Sequence, residues 1–229
     1  MKKYELTKET KTLTDGTVLH RIRALMDIPR YCVKAGDLGG LIEKENNLSQ
    51  DGDAWVYGDA LVSGNAWVYG NAQVCGNARV CGDAQVYGDA QVYGDAWVYG
   101  NAQVCGNAQV CGNAQVYGNA QVYGNAWVYG NAQVYGNAQV SGEARVYVDA
   151  KVSANSDYMV VKNTWSSGRW FTYTRSNKKW AVGCFYGTGE ELIKKAYADS
   201  ELSGKCYKAI VRAVETIEAA KAEAKEETK

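Results

Sequence analysis

The sequence predicts a mainly β protein whose central part is a parallel β-helix with a repeat of six residues. From Gly52 to Ser153 the chain reads Gly-[Asn/Asp]-Ala-x-Val-x in 17 consecutive hexads, and only the hexad at Val148 lacks the opening Gly. A six-residue period fits neither an α-helix nor simple strand alternation. It fits a solenoid in which each hexad forms one short strand and one corner.

Each position of the hexad has a predicted role. Val lies at the strand centre and points inward, and Ala, two residues earlier, points inward at the corner. The residues on either side of Val alternate to the opposite side and are expected to face solvent. Gly and Asn or Asp form the corner, because these residues tolerate a positive φ most readily.

Counted from Val, the hexad is Val-x-Gly-[Asn/Asp]-Ala-x, with a small residue four positions after the aliphatic one. This pattern resembles the hexapeptide of left-handed parallel β-helices over residues 52–153. The resemblance implies triangular coils of three hexads, so the 17 hexads give about 5.7 coils. A right-handed β-helix is the alternative, but its coils are usually longer and less uniform.

Stacking three hexads per coil places the residues before Val in three outward ladders. They are Trp55, Gln73, Gln91, Gln109, Trp127 and Arg145; Leu61, Arg79, Trp97, Gln115, Gln133 and Lys151; and Trp67, Gln85, Gln103, Gln121 and Gln139.

Residues 70–99 and 100–129 are nearly the same 30-residue block. Five hexads are not a multiple of three, so the copies fall on different faces and no face keeps one side-chain type in register. We therefore interpret the repeat as a source of length and rigidity. An aromatic ligand-binding surface at Trp97, Trp127 and Tyr129 is the alternative.

The first 51 residues are expected to form an N-terminal β cap, with a strand over residues 17–25 after an Asp-Gly turn. Residues 33–43 and 47–50 contain x-Ala-Gly-x-x-Gly-Gly and Leu-Ser-Gln. These stretches resemble the N-terminal cap of transferase-type hexapeptide proteins and of repeat proteins carried by phages and prophages. The expected role is to cover the open strand edge of the first coil.

Residues 156–229 are predicted to form a separate α+β module of three strands and two helices. The strands are expected at 158–161, 170–174 and 180–185, and a capping box at 188–191 begins the first helix. Apolar residues at helical spacing place the second helix at about 203–223. The pattern resembles small C-terminal modules of phage proteins.

Two cationic-aromatic clusters in this module are candidate binding residues for a phosphate-bearing ligand or an acidic protein surface. They comprise Arg169, Trp170, Arg175, Lys178, Lys179 and Trp180. The alternative is that Trp170 and Trp180 belong to the core of a small sheet and the bases are merely solvated.

Composition narrows the classes of partner. Lys plus Arg and Asp plus Glu both number 25, so no net field directs the chain to nucleic acid or an anionic membrane. The N-terminus lacks the apolar core of a signal peptide, and we expect a cytoplasmic protein. Cysteines 75, 81, 105 and 111 lie on different faces or two coils apart, so we predict no disulfide, metal site or cofactor.

Acyltransferases of the left-handed β-helix fold typically use a histidine base at a trimer interface and loops that project from the coils. The one histidine of this chain is His20, in the cap, and no hexad is interrupted. We therefore expect a non-enzymatic rigid scaffold. The resemblance to phage proteins suggests a phage-encoded factor that engages or inhibits a host protein. A small-ligand (nucleotide or sugar) binder and an acyltransferase-like enzyme are the alternatives. Outward Tyr and Trp columns predict a homo-oligomer, a dimer or trimer.

Overall fold

A computed structural model describes residues 2–226, which form two compact units, one ending at Tyr158 and the other beginning at Met159. The first unit is a parallel β-solenoid of about six coils, which confirms the predicted fold class. Its hexads contribute 17 strands of two residues each, β4–β20. In chain order these are Trp55–Val56, Leu61–Val62, Trp67–Val68, Gln73–Val74, Arg79–Val80, Gln85–Val86, Gln91–Val92, Trp97–Val98, Gln103–Val104, Gln109–Val110, Gln115–Val116, Gln121–Val122, Trp127–Val128, Gln133–Val134, Gln139–Val140, Arg145–Val146 and Lys151–Val152.

The strands pair with an 18-residue register and form three sheets that correspond to the predicted ladders. The sheet that starts at Trp55 has six strands, the one that starts at Trp67 has five, and the one that contains Leu61 has nine because three strands of the N-terminal segment extend it. Val92, for example, pairs in parallel with Val74 before it and Val110 after it. The Val and Ala of every hexad are fully buried, so the interior is a stack of these two residue types. Each coil donates its backbone N–H groups to carbonyls of the following coil, as from Gln91 to Ala108 at 2.9 Å.

The corner glycines do more than supply a positive φ. At Gly112 (φ +67°) an added Cβ would lie 3.1 Å from the backbone nitrogen of Gly130 in the next coil. At Gly142 (φ +65°), in the last coil, the same atom would meet nothing within 4 Å. The one non-glycine corner, Val148 (φ 58°), also belongs to the last coil. Stacking therefore excludes a Cβ from the interior corners.

The N-terminal segment covers the open edge of the first coil, as the sequence predicts. Its strands are β1 (Tyr4–Thr12), β2 (Val18–Ala24) and β3 (Leu38–Ile42). β3 pairs in parallel with β5, and β2 and β1 extend the same sheet in antiparallel fashion. Three side chains also donate to carbonyl oxygens of the first coil: Lys3 to Gly52 and Ala54, Arg21 to Gly58, and Asn47 to Gly64 and Ala66.

This cap corrects one expectation for the outward ladders. Trp55 and Leu61 do not face solvent but are buried. The ring of Tyr4 meets Trp55 edge-on with centroids 6.3 Å apart, and Leu61 packs in a cluster with Leu19 and Leu41. The first member of each of these two ladders is therefore core.

The second unit contains a four-stranded sheet and two helices. The strands are β21 (Tyr158–Lys162), β22 (Trp170–Thr174), β23 (Lys179–Val182) and β24 (Phe185–Gly187), and they are adjacent in chain order. The prediction of three strands was wrong, because Gly183 (φ 57°) turns the chain within the segment 180–185. The helices are α1 (Gly189–Asp199) and α2 (Glu201–Glu226), and the capping box of Thr188 and Glu191 is confirmed.

One face of this sheet packs on the two helices. The buried core consists of Phe171, Tyr173, Trp180, Val182, Leu192, Ile193, Ala196, Tyr207, Val211 and Val214. Neither α1 nor the described part of α2 combines the length and apolar composition needed to cross a bilayer.

Candidate functional site

The predicted aromatic surface of the β-solenoid, here called the rod, is divided between two of its faces. Trp97 belongs to the nine-stranded sheet, and Trp127 and Tyr129 belong to the six-stranded one. The guanidinium of Arg79 lies 5.0 Å from the ring centroid of Trp97, and that of Arg145 lies 5.3 Å from that of Trp127. The rod therefore separates Trp97 from Trp127 and Tyr129, which share a face.

The tyrosine columns of the rod stack on themselves. Tyr99, Tyr117 and Tyr135 form a continuous pile with centroid spacings of 4.9 and 5.2 Å. Tyr129 packs on Tyr147 at 3.8 Å, and burial raises the pKa of Tyr147 to about 12. The Tyr147 hydroxyl therefore remains protonated at neutral pH.

The cysteines of the rod share the same outward columns. Cys75 and Cys111 flank Tyr93 in one column, and burial raises the pKa of both thiols. A thiol with a raised pKa is a poor nucleophile, since the thiolate is the reactive form. Within residues 2–226 no group of three or more His, Cys, Asp or Glu side chains is placed to hold a metal ion.

In the C-terminal unit, the structure divides the predicted binding residues. Trp180 is 3% exposed and belongs to the core of the unit, and its edge lines a cleft of about 450 Å³ together with Lys178. Its ring lies on the face of the sheet that packs on the helices, where it contacts Phe171 and Tyr173. Arg175 makes a two-pronged ion pair with Glu218, with nitrogen–oxygen distances of 2.8 to 3.1 Å, which neutralises its charge locally. Lys178 (φ 53°) is exposed in the turn, and Lys179 is half-buried in β23.

Trp170 and Arg169 remain accessible. Trp170 is 39% exposed, and the ammonium of Lys162 lies 5.4 Å from its ring centroid. Arg169 is exposed and lines a cleft of about 260 Å³ together with Phe185, Lys195 and Tyr207. Arg169 and Trp170 therefore present a cationic and aromatic surface.

Trp165, which the sequence did not single out, is the most exposed aromatic residue among residues 2–226. Trp165 is 67% exposed on the loop between β21 and β22, residues 163–169, here named the tryptophan loop. The run Asn-Thr-Trp-Ser-Ser-Gly is a signal that could have found it, because Asn followed by Ser and Gly is typical of a fixed turn.

Buried hydrogen bonds hold this loop in place. The side-chain oxygen of Asn163, a fully buried residue, accepts from the backbone N–H groups of Trp165 (3.1 Å) and Ser166 (3.3 Å). Its amide nitrogen donates to the Ser166 hydroxyl at 2.9 Å. From α2, the Tyr207 hydroxyl donates to Ser167 Oγ at 3.0 Å. The indole of Trp165 is thus exposed on a rigid support.

Comparison with known families concerns the rod alone. The family model described as "YdcK Beta solenoid repeat" matches residues 54–70, 72–88, 84–100, 90–106, 114–130, 120–136 and 132–147. The rod is therefore similar to this solenoid repeat, in agreement with its parallel coils. A comparison with curated proteins gave no match.

Proposed function

We propose that this protein is a non-enzymatic scaffold whose C-terminal unit binds an acidic surface of a protein partner through the tryptophan loop. The observation that supports the proposal most is the exposed Trp165 on a loop fixed by a fully buried Asn163. The resemblance of the sequence to phage-type repeat proteins favours a host protein as the partner, engaged or inhibited by a phage-encoded factor.

The chemistry of the loop suits protein recognition. Tryptophan and arginine are the residues that most often dominate the affinity of protein interfaces. A loop that is already ordered loses little conformational freedom on binding, so more of the contact energy appears as affinity. Lys162 precedes the tryptophan loop and Arg169 ends it, and their positive charge complements carboxylates on a partner and accelerates encounter.

The rod supports the scaffold part of the proposal. Each hexad contacts only its neighbours, which makes a solenoid a stiff body of adjustable length. Trp97 and Trp127 are each covered on one side by an arginine of an adjacent coil. We also propose that the remaining exposed aromatic area of the rod supports a homo-oligomer, which light scattering at micromolar concentration would test.

Two observations support a non-enzymatic role. His20, the one histidine in the sequence, lies in β2 with its Nδ1 3.4 Å from the carbonyl oxygen of Thr7. It is therefore part of the cap sheet and not of a hexad. The raised pKa of Cys75 and Cys111 disfavours thiol catalysis on the rod.

The test begins with a photo-crosslinking amino acid at position 165 of the full-length protein. Position 97, which also carries an exposed tryptophan, is the matched control. In an extract of the native host, we expect one discrete protein adduct from position 165 and none from position 97.

The partner identified in this way is then purified and titrated. Trp165→Ala should weaken binding by about tenfold or more, which corresponds to about 1.4 kcal/mol. Arg169→Glu should also weaken binding, and its effect should grow as the salt concentration is lowered. Trp97→Ala should bind as the parent does. A Trp165→Ala variant with the parent's affinity would refute the proposal.

A further inference from the structure

The five-stranded face of the rod begins with an aromatic pile whose first ring is open on one side. The indole of Trp67 stacks on Tyr69 with centroids 4.0 Å apart, and Tyr69 stacks on Tyr87 at 4.8 Å. Trp67 is 42% exposed although one of its faces is covered by Tyr69.

The cap explains why the other face is uncovered. Leu48 bridges in parallel to Val68, so the residue in register with Trp67 is Asn47. The Asn47 side chain points inward and bonds the carbonyl oxygens of Gly64 and Ala66. No outward side chain therefore precedes Trp67 in its ladder. Trp97, in contrast, has Arg79 stacked before it.

A shallow cleft of about 460 Å³ lies against this indole. Its polar lining consists of Glu45, Asn46, Ser49, Gln50 and Asn65. These side chains offer amide donors, amide and carboxylate acceptors, and a hydroxyl. Two cations reach this rim, and each is balanced by an acid: Lys2 pairs with Glu45 at 2.7 Å, and Lys44 donates to Asn65, which in turn donates to Asp83. The cleft therefore offers a phosphate-bearing ligand no cation in excess of its carboxylates.

We propose that this cleft binds a neutral saccharide, with one pyranose ring lying on Trp67. A pyranose has an apolar face of C–H groups that can pack on an indole, and a rim of hydroxyls that both donate and accept. The lining matches that rim with Asn46, Ser49 and Glu45, in the common pattern of an apolar platform with a few orienting polar groups. This proposal stands independently of the protein partner proposed for the tryptophan loop.

A polar rim distinguishes Trp67 from Trp97, the other exposed tryptophan of the rod. Trp97 is 41% exposed, nearly as much as Trp67, but an arginine lies over its ring. Substitution at Trp97 therefore removes the same amount of exposed indole from the same repeat position without touching the cleft. It is the matched control.

The experiment follows the indole Nε1–H signals of the full-length protein by NMR during titration with maltohexaose, cellohexaose and chitohexaose, with ATP as an anionic probe. We expect at least one oligosaccharide to shift the Trp67 signal saturably at millimolar concentration, and ATP to leave it in place. Trp67→Ala should weaken binding by about tenfold or more. Asn46→Ala, at an exposed position, should weaken it severalfold, and Trp97→Ala should bind as the parent does.

Three results would overturn the proposal. They are no saturable shift of Trp67 with any of the three oligosaccharides, saccharide binding that survives Trp67→Ala, and a Trp67 response to ATP alone. The Asn46→Ala variant keeps the test valid if Trp67→Ala disturbs the first coil, since Asn46 lies outside the aromatic pile.

Discussion

The rod contains two nearly identical copies of one 30-residue block, and they differ in one property of their surface. Residues 70–99 and 100–129 have the same Gly, Ala, Val, Tyr, Cys and Trp at every equivalent position. Their four differences are Arg79, Asp83, Asp89 and Asp95 in the first copy against Gln109, Asn113, Asn119 and Asn125 in the second. All four lie at outward or corner positions, so variation has spared the core.

The corner differences change how side chains connect successive coils. In the second copy Asn119 both accepts and donates: it accepts from Asn101 at 3.0 Å and donates to Asn137 at 3.1 Å. In the first copy Asp95 accepts from Asn77 at 2.9 Å. A carboxylate has no N–H to pass on, so each Asp ends a run of side-chain bonds. The comparison teaches that an Asn corner can link three coils, where the preceding coil also has an Asn, whereas an Asp corner links two.

The largest expected effect tests whether the two copies share one core constraint. Gly82→Ala and Gly112→Ala should each destabilise the rod by about 2 to 4 kcal/mol, because Ala strains a positive φ and its Cβ presses on the next coil. In both cases the nearest backbone nitrogen would lie 3.0 to 3.1 Å from the new atom. Chemical denaturation of the two variants measures the losses.

Gly142→Ala is the control for that experiment. Its Cβ would meet nothing within 4 Å, so only the strain of the positive φ remains, about 1 to 2 kcal/mol. Equal losses at Gly112 and Gly142 would mean that coil stacking does not explain the interior glycines.

A smaller effect should follow from exchanging the corner residues between the copies. Asn119→Asp removes the donor to Asn137 and should cost about 0.5 to 1.5 kcal/mol. Asp95→Asn restores a donor that can reach Asn113 in the next coil, and should stabilise by a similar amount. Local hydrogen exchange of the flanking coils measures both. A change of the same sign in the two variants would contradict the linking role of asparagine.

The smallest effect concerns the remaining difference. Arg79→Gln makes the first copy like the second at this position and removes the guanidinium lying over Trp97. The expected loss is about 0.5 to 1 kcal/mol at this exposed site, together with a changed Trp97 fluorescence. The reverse change in the second copy, Gln109→Arg, places a guanidinium beside Trp127. Because Arg145 already lies over that ring, stability should be nearly unchanged.

The sequence predicted the rod well because one six-residue pattern determines both its core and its register. Every Val and Ala was placed inward correctly, and the three ladders follow from a coil of 18 residues. The cap was less predictable: β1 is mostly polar, and its role becomes visible only where Lys3 reaches the carbonyl oxygens of Gly52 and Ala54. Burial lowers the pKa of Lys3 to about 8, which the sequence gives no means of seeing.

The candidate sites depended on contacts between distant residues. Local sequence does not reveal which of Trp170 and Trp180 is core, because that is decided by which face of the sheet the helices cover. The support of Trp165 includes a bond from Tyr207 to Ser167, forty residues earlier in the chain, which local sequence does not reveal. The open face of Trp67 likewise depends on where the cap ends.

The proposed division between a structural rod and a recognising C-terminal unit can be tested with one deletion. Removing residues 94–129 takes out six hexads, or two whole coils, and joins Tyr93 to Gly130 as Tyr is joined to Gly elsewhere in the repeat. It deletes Trp97, Trp127 and Tyr129 together while leaving Trp67 and Trp165 in place. The affinity of this variant for the partner captured at position 165 should lie within about twofold of the parent's, since each remaining coil closes on an equivalent neighbour. A loss of about tenfold or more, in a variant whose C-terminal unit keeps its NMR spectrum, would place recognition on the rod and contradict this account.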